Sequence, residues 1–259
     1  EGNIIVNTTD KGTVRLILNN ASISNTTTAP IKVLDAKKVI LTLADNTTNT
    51  ITDSSRLSTE EDYSAAIYSK EDLIINGNGT LNVNAGYRNG IKSTDDCIIV
   101  SGTLNITSTE DGIIGKDLCG IVAGDININA GSDGVKSTYD TDTTKGNVII
   151  EGGNITIKAS NDGIQAENIL VINDGTINIK TNNGAADTTQ THIDNMDMGR
   201  GGFGFNNKKT TTTTDDTSES RKGIKAGNML IINDGDITID SDDDSVHCNS
   251  VIYIYMVVL

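Results

Sequence analysis

Tryptophan is absent from this chain, proline occurs once, histidine twice and cysteine three times, and aromatic residues make up only 3% of its 259 positions. Each shortage excludes something. Three cysteines are no disulfide framework, and Cys97 and Cys119, one repeat apart, read as small buried residues of an interior ladder, with Cys248 unpaired. Zinc needs clustered His and Cys, and only His247 and Cys248 are adjacent. His192 lies in a polar tract and His247 near the end, which leaves a Ser-His-Asp nucleophile without a good candidate. Positive charge is scarce too: 35 acidic against 20 basic residues give a formal net charge of −15, which argues against nucleic acid and anionic membranes as partners. No run approaches the roughly 18 apolar residues of a membrane-spanning helix, so no membrane insertion is expected. Glu1-Gly2-Asn3 does not open a secretory signal, and the numbering is read as starting after processing or inside a longer chain.

What is abundant is glycine, with 26 residues, alongside Asn, Thr, Asp and Ile. Turn formers and β-branched residues together favour short strands over helices. One phrase recurs six times: Gly79-Thr80-Leu81-Asn82-Val83, then the equivalents beginning at Gly102, Gly124, Gly153, Gly175 and Gly235. These glycines lie 23, 22, 29, 22 and 60 residues apart, so the unit is 22 residues with insertions of 7 and 38. Such a period marks stacked supersecondary units.

A second phrase fixes the register: Asn89-Gly90-Ile91-Lys92, Asp111-Gly112-Ile113, Asp133-Gly134-Val135-Lys136, Asp162-Gly163-Ile164 and the variant Lys222-Gly223-Ile224-Lys225. With an apolar stretch such as Ile98-Ile99-Val100 between the two phrases, each unit holds three short strands. Turns every six to eight residues leave no room for hairpins of useful length, but they suit one coil of a solenoid, each strand pairing in parallel with its equivalent about 4.8 Å away. The expected fold is therefore an all-β, right-handed parallel β-helix of about 22 residues and three strands per coil, handedness following the norm for parallel crossovers. Leu81, Leu104, Ile126, Ile155, Ile177 and Ile237 should form one inward column, and Val83, Ile106, Ile128, Ile157, Ile179 and Ile239 the next. A leucine-rich repeat is disfavoured because its Leu-rich consensus is missing, and calcium-binding nonapeptide repeats do not occur.

Residues 1–259 read as a single solenoid, a fragment of a longer array. Residues 45–63 look like an excursion between units, and 185–222 like a flexible Gly/Thr-rich insertion that cannot offset its own ordering entropy. The apolar run from Val251 to Leu259 either folds over the open core as a cap or reflects truncation.

Asp111, Asp133 and Asp162 stand at one turn of three successive coils. Carboxylates about 5 Å apart repel by roughly 1 kcal/mol in water and several-fold more near a protein surface. A hard cation with oxygen ligands would relieve this, which points to calcium (Ca2+). The competing reading is that they are turn formers neutralised by Lys92 and Lys136. Asp95 and Asp117 form a second pair one unit apart, with Asp140 close by in the next insertion. For carbohydrate, ladders of Lys92, Lys136 and Lys225 could meet hydroxyls and carboxylates of an extended polymer, with Tyr87 and Tyr139 as aromatic candidates beside Tyr63 and Tyr68. A lysine base for lyase chemistry needs a lowered pKa, which neighbouring carboxylates oppose. No catalytic residue is therefore assigned.

Asp133-Gly134-Val135-Lys136-Ser137, Ile150-Glu151-Gly152-Gly153-Asn154-Ile155-Thr156-Ile157 and Lys222-Gly223-Ile224-Lys225-Ala226-Gly227 resemble the bacterial carbohydrate-binding β-helix proteins that are similar to family 9 polysaccharide lyases. The resemblance runs from about Gly12 to Asn249. It implies a secreted or cell-surface, calcium-binding protein that attaches to plant cell-wall polysaccharide, such as cellulose, pectin or another acidic sugar polymer, without turnover. A calcium-dependent pectate-type lyase and a structural or adhesion solenoid are the alternatives.

Overall fold

The computed structural model describes residues 2–9, 12–54, 63–184 and 220–255. Their strands form three parallel sheets that wrap one core, and every pairing is between a strand and its equivalent one coil away. Sheet A has nine strands, from Ile4–Asn7 to Val246–Cys248; sheet B has nine, from Thr13–Leu18 to Val251–Ile254; sheet C has eight, from Ser22–Asn25 to Asp236–Asp240. Among the described residues there is no helix.

The repeat phrase forms sheet C, and its columns stack as the alternation requires. Leu81 lies opposite Leu104, then Ile126, Ile155, Ile177 and Ile237, while Val83, Ile106, Ile128, Ile157, Ile179 and Ile239 make the neighbouring column. All but the final pair are fully buried in a single continuous core. Between them the amides point outward, and Asn127 donates to Asn105 at 3.1 Å as Asn105 donates to Asn82 at 2.9 Å. Cys97 and Cys119 sit opposite each other in sheet B, fully buried and free. Burial pushes the Cys119 thiol up to about 12, which keeps it an inert core residue.

One expectation needs correction. Within 45–63, Thr48–Asp53 is no excursion but a regular sheet C strand, paired with Ser22–Asn25 on one side and Thr80–Ala85 on the other. It hides because Asn49 takes the inward place held by Leu81 one coil later. Asn49 is fully buried, and it is satisfied there: its carbonyl accepts Ala21 N–H at 2.9 Å, and its amide donates to the Thr80 carbonyl at 3.2 Å. Of the two readings of the terminal apolar run, a cap folded over the core is not what Val251–Ile254 forms. The strand continues sheet B beside Met229–Ile232, with Ile252, Tyr253 and Ile254 exposed. The bulk of the expected insertion, residues 185–219, and residues 55–62 and 256–259 lie outside the described residues.

Candidate functional site

The Asp-Gly turns stack where sheet C hands the chain to sheet A. Glycine must follow the aspartate, because a Cβ on Gly112 would stand 2.5 Å from both the Gly134 carbonyl oxygen and the Ile128 side chain. The aspartates form a continuous chain of caps. Asn89 Oδ1 accepts the N–H of Asp111 at 3.0 Å, Asp111 Oδ1 that of Asp133 at 3.0 Å, Asp133 Oδ1 that of Asp162 at 2.9 Å, and Asp162 Oδ1 that of Lys222 at 2.8 Å. The second oxygens face lysines: Lys136 reaches Asp133 at 2.6 Å and Asp111 at 3.9 Å, and Lys225 reaches Asp162 at 3.1 Å. Asp133 and Asp162 are 3% and 1% exposed. Hydrogen bonds and ammonium groups thus relieve the repulsion that suggested a cation, and the oxygens of this ladder are engaged within the protein. The donor set does not fit calcium, although the ladder itself lies where the period places it.

The same lysines belong to the outward row of sheet A. One residue per coil points out of this sheet: Lys32 lies opposite Tyr68, then Lys92, Ile114, Lys136, Gln165, Lys225 and His247. The three predicted lysines therefore share one column. Lys92 donates to Ser64 Oγ at 3.1 Å. Burial lowers its pKa against the upward pull of Asp111, with Arg88 acting in the same direction as burial. Lys136 shows the opposite net result: its proximity to Asp133 and Asp111 outweighs burial and raises it. The argument that carboxylates raise every lysine here holds for Lys136 and fails for Lys92.

The tyrosines make a poor stacking platform. Tyr68 is 6% exposed and packs edge-to-face on Tyr63 with centroids 5.4 Å apart, and Lys32 stands 4.6 Å over the Tyr63 ring. Tyr87 carries the Arg88 guanidinium at 5.7 Å. Tyr139 lies on the opposite border of sheet A with Lys116 at 4.8 Å and Lys145 at 4.9 Å from its ring centre.

That opposite border, between sheets A and B, holds the acidic group with metal-ligand geometry. Carboxylate oxygens of Asp72, Asp95 and Asp96 lie within 4.8 Å of one another. Asp95 is pushed up to about 6 by burial and by Asp117, Asp72 and Asp96 around it. Burial and the same neighbours also raise Asp96. Asp117 is buried and paired with Lys145. Of the residues read from the sequence, Asp95 belongs to this group and Asp117 adjoins it, while Asp140 is exposed in the following loop and outside it. Asp72 and Asp96 went unread. Aligning units on Asp72-Leu73-Ile74-Ile75 and Asp96-Cys97-Ile98-Ile99, in place of the glycines, would have found both. An open trough of about 740 Å³ follows the border between sheets B and C, with Gly124, Gly153, Gly175 and Gly235 along it beside Asp125 and Asp174. It lies away from the lysine row.

A solved structure described as a polysaccharide lyase-like protein from C. thermocellum, a gadolinium derivative, is similar to this chain with a TM-score of 0.67 and 26% identity, covering 98% of this chain and 80% of that one. A carbohydrate-binding domain-containing protein of Acetivibrio thermocellus is 36% identical over 110 residues, which are 41% of this chain and only 38% of that relative's length. The family model for carbohydrate-binding domain-containing proteins matches residues 1–256, and the chain belongs to that bacterial family.

Proposed function

We propose that this chain is a non-catalytic polysaccharide-binding solenoid, secreted or held at the cell surface, whose ligand lies on sheet A. The observation that carries the reading is the single column of Lys92, Lys136 and Lys225, all half-buried, on the outward side of sheet A and bordered by the aspartate ladder. Ammonium and carboxylate groups fixed side by side suit the hydroxyls and carboxylates of plant cell-wall polymers such as cellulose and pectin. Calcium fits the Asp72, Asp95 and Asp96 group, which supplies oxygen ligands under mutual repulsion.

Affinity electrophoresis in polygalacturonate and pull-down on insoluble cellulose test the proposal. Retardation that falls in a Lys136→Ala, Lys225→Ala double variant is expected. Migration unaffected by any polymer would leave a structural scaffold as the better reading.

One observation favours a second reading. Burial lowers the pKa of Lys92, the direction that a base taking the proton alpha to a uronate requires. A calcium-dependent lyase would release unsaturated product from polygalacturonate, read by absorbance, and would lose that activity in Lys92→Ala.

A further inference from the structure

Sheet B turns an aliphatic column to solvent. Ile40, Ile74, Ile98, Ile149, Val171 and Ile231 lie opposite one another on successive coils, with Gly120 between Ile98 and Ile149 and Tyr253 after Ile231. They alternate with the buried residues of the same strands, such as Leu73, Ile99 and Leu170, so they point away from the core. Each of the six is partly exposed and none belongs to the core cluster, while Tyr253 is 45% exposed. Gly120 shows that the column is open above. A Cβ added there would meet Ile98 of its own column at 3.5 Å and no atom nearer.

The column has a polar rim. Glu151, Asn173 and Asn233 stand two residues beyond Ile149, Val171 and Ile231, on the same outward side. Asn233 Nδ2 donates to Asn173 Oδ1 at 2.7 Å, and Asn173 Nδ2 donates to Glu151 Oε2 at 2.8 Å, which leaves further donors and acceptors of this ladder for a ligand. A pyranose ring is divided in the same way, with apolar C–H faces and hydroxyls around its edge. Spacing favours the same class: a ring in an extended β-linked chain is about as long as one coil is deep, about 4.8 Å, whereas same-face side chains of an extended peptide recur about every 6.8 Å. Charge selects the uncharged members. No ionisable residue stands in the column from Ile40 to Ile231, and Glu151 on the rim repels a polyanion. A second copy of the chain would bring its own formal charge of −15 against the first.

Resting on the polysaccharide-binding reading above, we infer that sheet B is a second glycan site, which seats one uncharged β-1,4-linked chain parallel to the solenoid axis. Ring faces lie on the column from Ile40 to Ile231, and ring edges turn toward Glu151, Asn173 and Asn233. Isoleucine and valine supply the flat apolar contact that the few tyrosines do not. Each further ring covers one further coil, so affinity grows evenly with length.

Titration calorimetry with neutral β-1,4-linked glucose oligomers, from dimer to hexamer and with chelator present, tests the site. Affinity should rise several-fold with each added ring and change little between low and high salt. Ile149→Ser with Val171→Ser, and separately Gly120→Glu, should each weaken hexamer binding about tenfold or more. All three positions face outward, and thermal unfolding confirms that both variants are folded. Hexamer affinity unchanged in both variants overturns the site. Equal binding of α-1,4-linked oligomers, whose chains curl away from a flat face, overturns the assignment to an extended chain. Sedimentation velocity should find a monomer; a dimer that Ile149→Ser with Val171→Ser dissociates gives the column to a second copy and overturns the glycan. No neutral binding, with retardation in polygalacturonate intact, removes this site and leaves the sheet A reading standing. Absence of binding to every oligomer and polymer overturns both.

Discussion

Asp133 Oδ1 accepts the backbone N–H of Asp162 at 2.9 Å, so a carboxylate on one coil caps the turn of the next. Its other oxygen holds Lys136 at 2.6 Å. Replacing it with alanine leaves a buried N–H without an acceptor, at about 1–3 kcal/mol, and frees a half-buried ammonium. Asp133→Asn can keep the cap through its one amide oxygen but turns an NH2 donor toward Lys136, so it loses the ion pair and retains the cap, and it should cost less than alanine. Urea unfolding of the two variants checks this. Equal losses would mean that the cap is not what the aspartate contributes.

Asp95 is raised by burial, as Asp133 is, but it has acidic groups around it where Asp133 has Lys136. Its pKa stands at about 6 against 3.8 for the unperturbed group. A group raised on folding holds a proton that the unfolded chain has released, so stability is highest below the lower value and falls as pH rises through the upper one. Asp95→Asn should therefore raise the melting temperature near neutral pH and leave it nearly unchanged at about pH 4. Calcium bound by Asp72, Asp95 and Asp96 should raise the melting temperature of the unmodified protein near neutral pH, reversibly with chelator, and should do much less for Asp95→Asn. A wild-type melting temperature indifferent to both calcium and chelator would remove the metal from this site.

The columns of sheet C were legible because a 22-residue period aligns Leu104 with Ile126 and Ile155 with Ile177, across one insertion of 7, and the aspartate ladder was legible for the same reason. What its oxygens do was not, since partners such as the N–H of Asp162 come from the next coil's backbone, which carries no sequence signature. The Asp72 and Asp96 cluster escaped because an extra residue, Asn78, separates two turns and shifts the left-handed glycine to Gly77. The Thr48–Asp53 strand escaped because a polar residue fills an aliphatic position.

That residue gives a direct test. Asn49 bridges three neighbours inside the core: Ala21 N–H, Thr47 Oγ1 and the Thr80 carbonyl. Asn49→Ala leaves the Ala21 donor unpaired beside a small void and should cost about 2–3 kcal/mol. Asn49→Leu matches the apolar column of Leu81 and still strands the donor, so burial of its methyl groups recovers only part of the loss. Chemical denaturation ranks the three proteins, and a leucine variant more stable than wild type would show that the amide's hydrogen bonds contribute little.

Neighbouring glycines at the turn between sheets B and C separate backbone need from mere smallness. Gly153 has φ +106°, and a Cβ there would stand 2.9 Å from the Gly124 carbonyl oxygen, a backbone atom held by the coil below. Gly152 has no positive φ, and its nearest neighbour, the Val122 carbonyl oxygen, would lie at an ordinary 3.6 Å. Gly153→Ala should therefore destabilise by about 1–3 kcal/mol through strain and contact. Gly152→Ala should be neutral or stabilise by up to about 1 kcal/mol, because alanine restricts the unfolded chain. The difference in denaturation midpoint between the two variants reads the backbone requirement. Equal midpoints would show that the coil can move enough to accept a methyl group at Gly153, and the stacked left-handed glycines would then be a convenience of the turn, not a requirement of the solenoid.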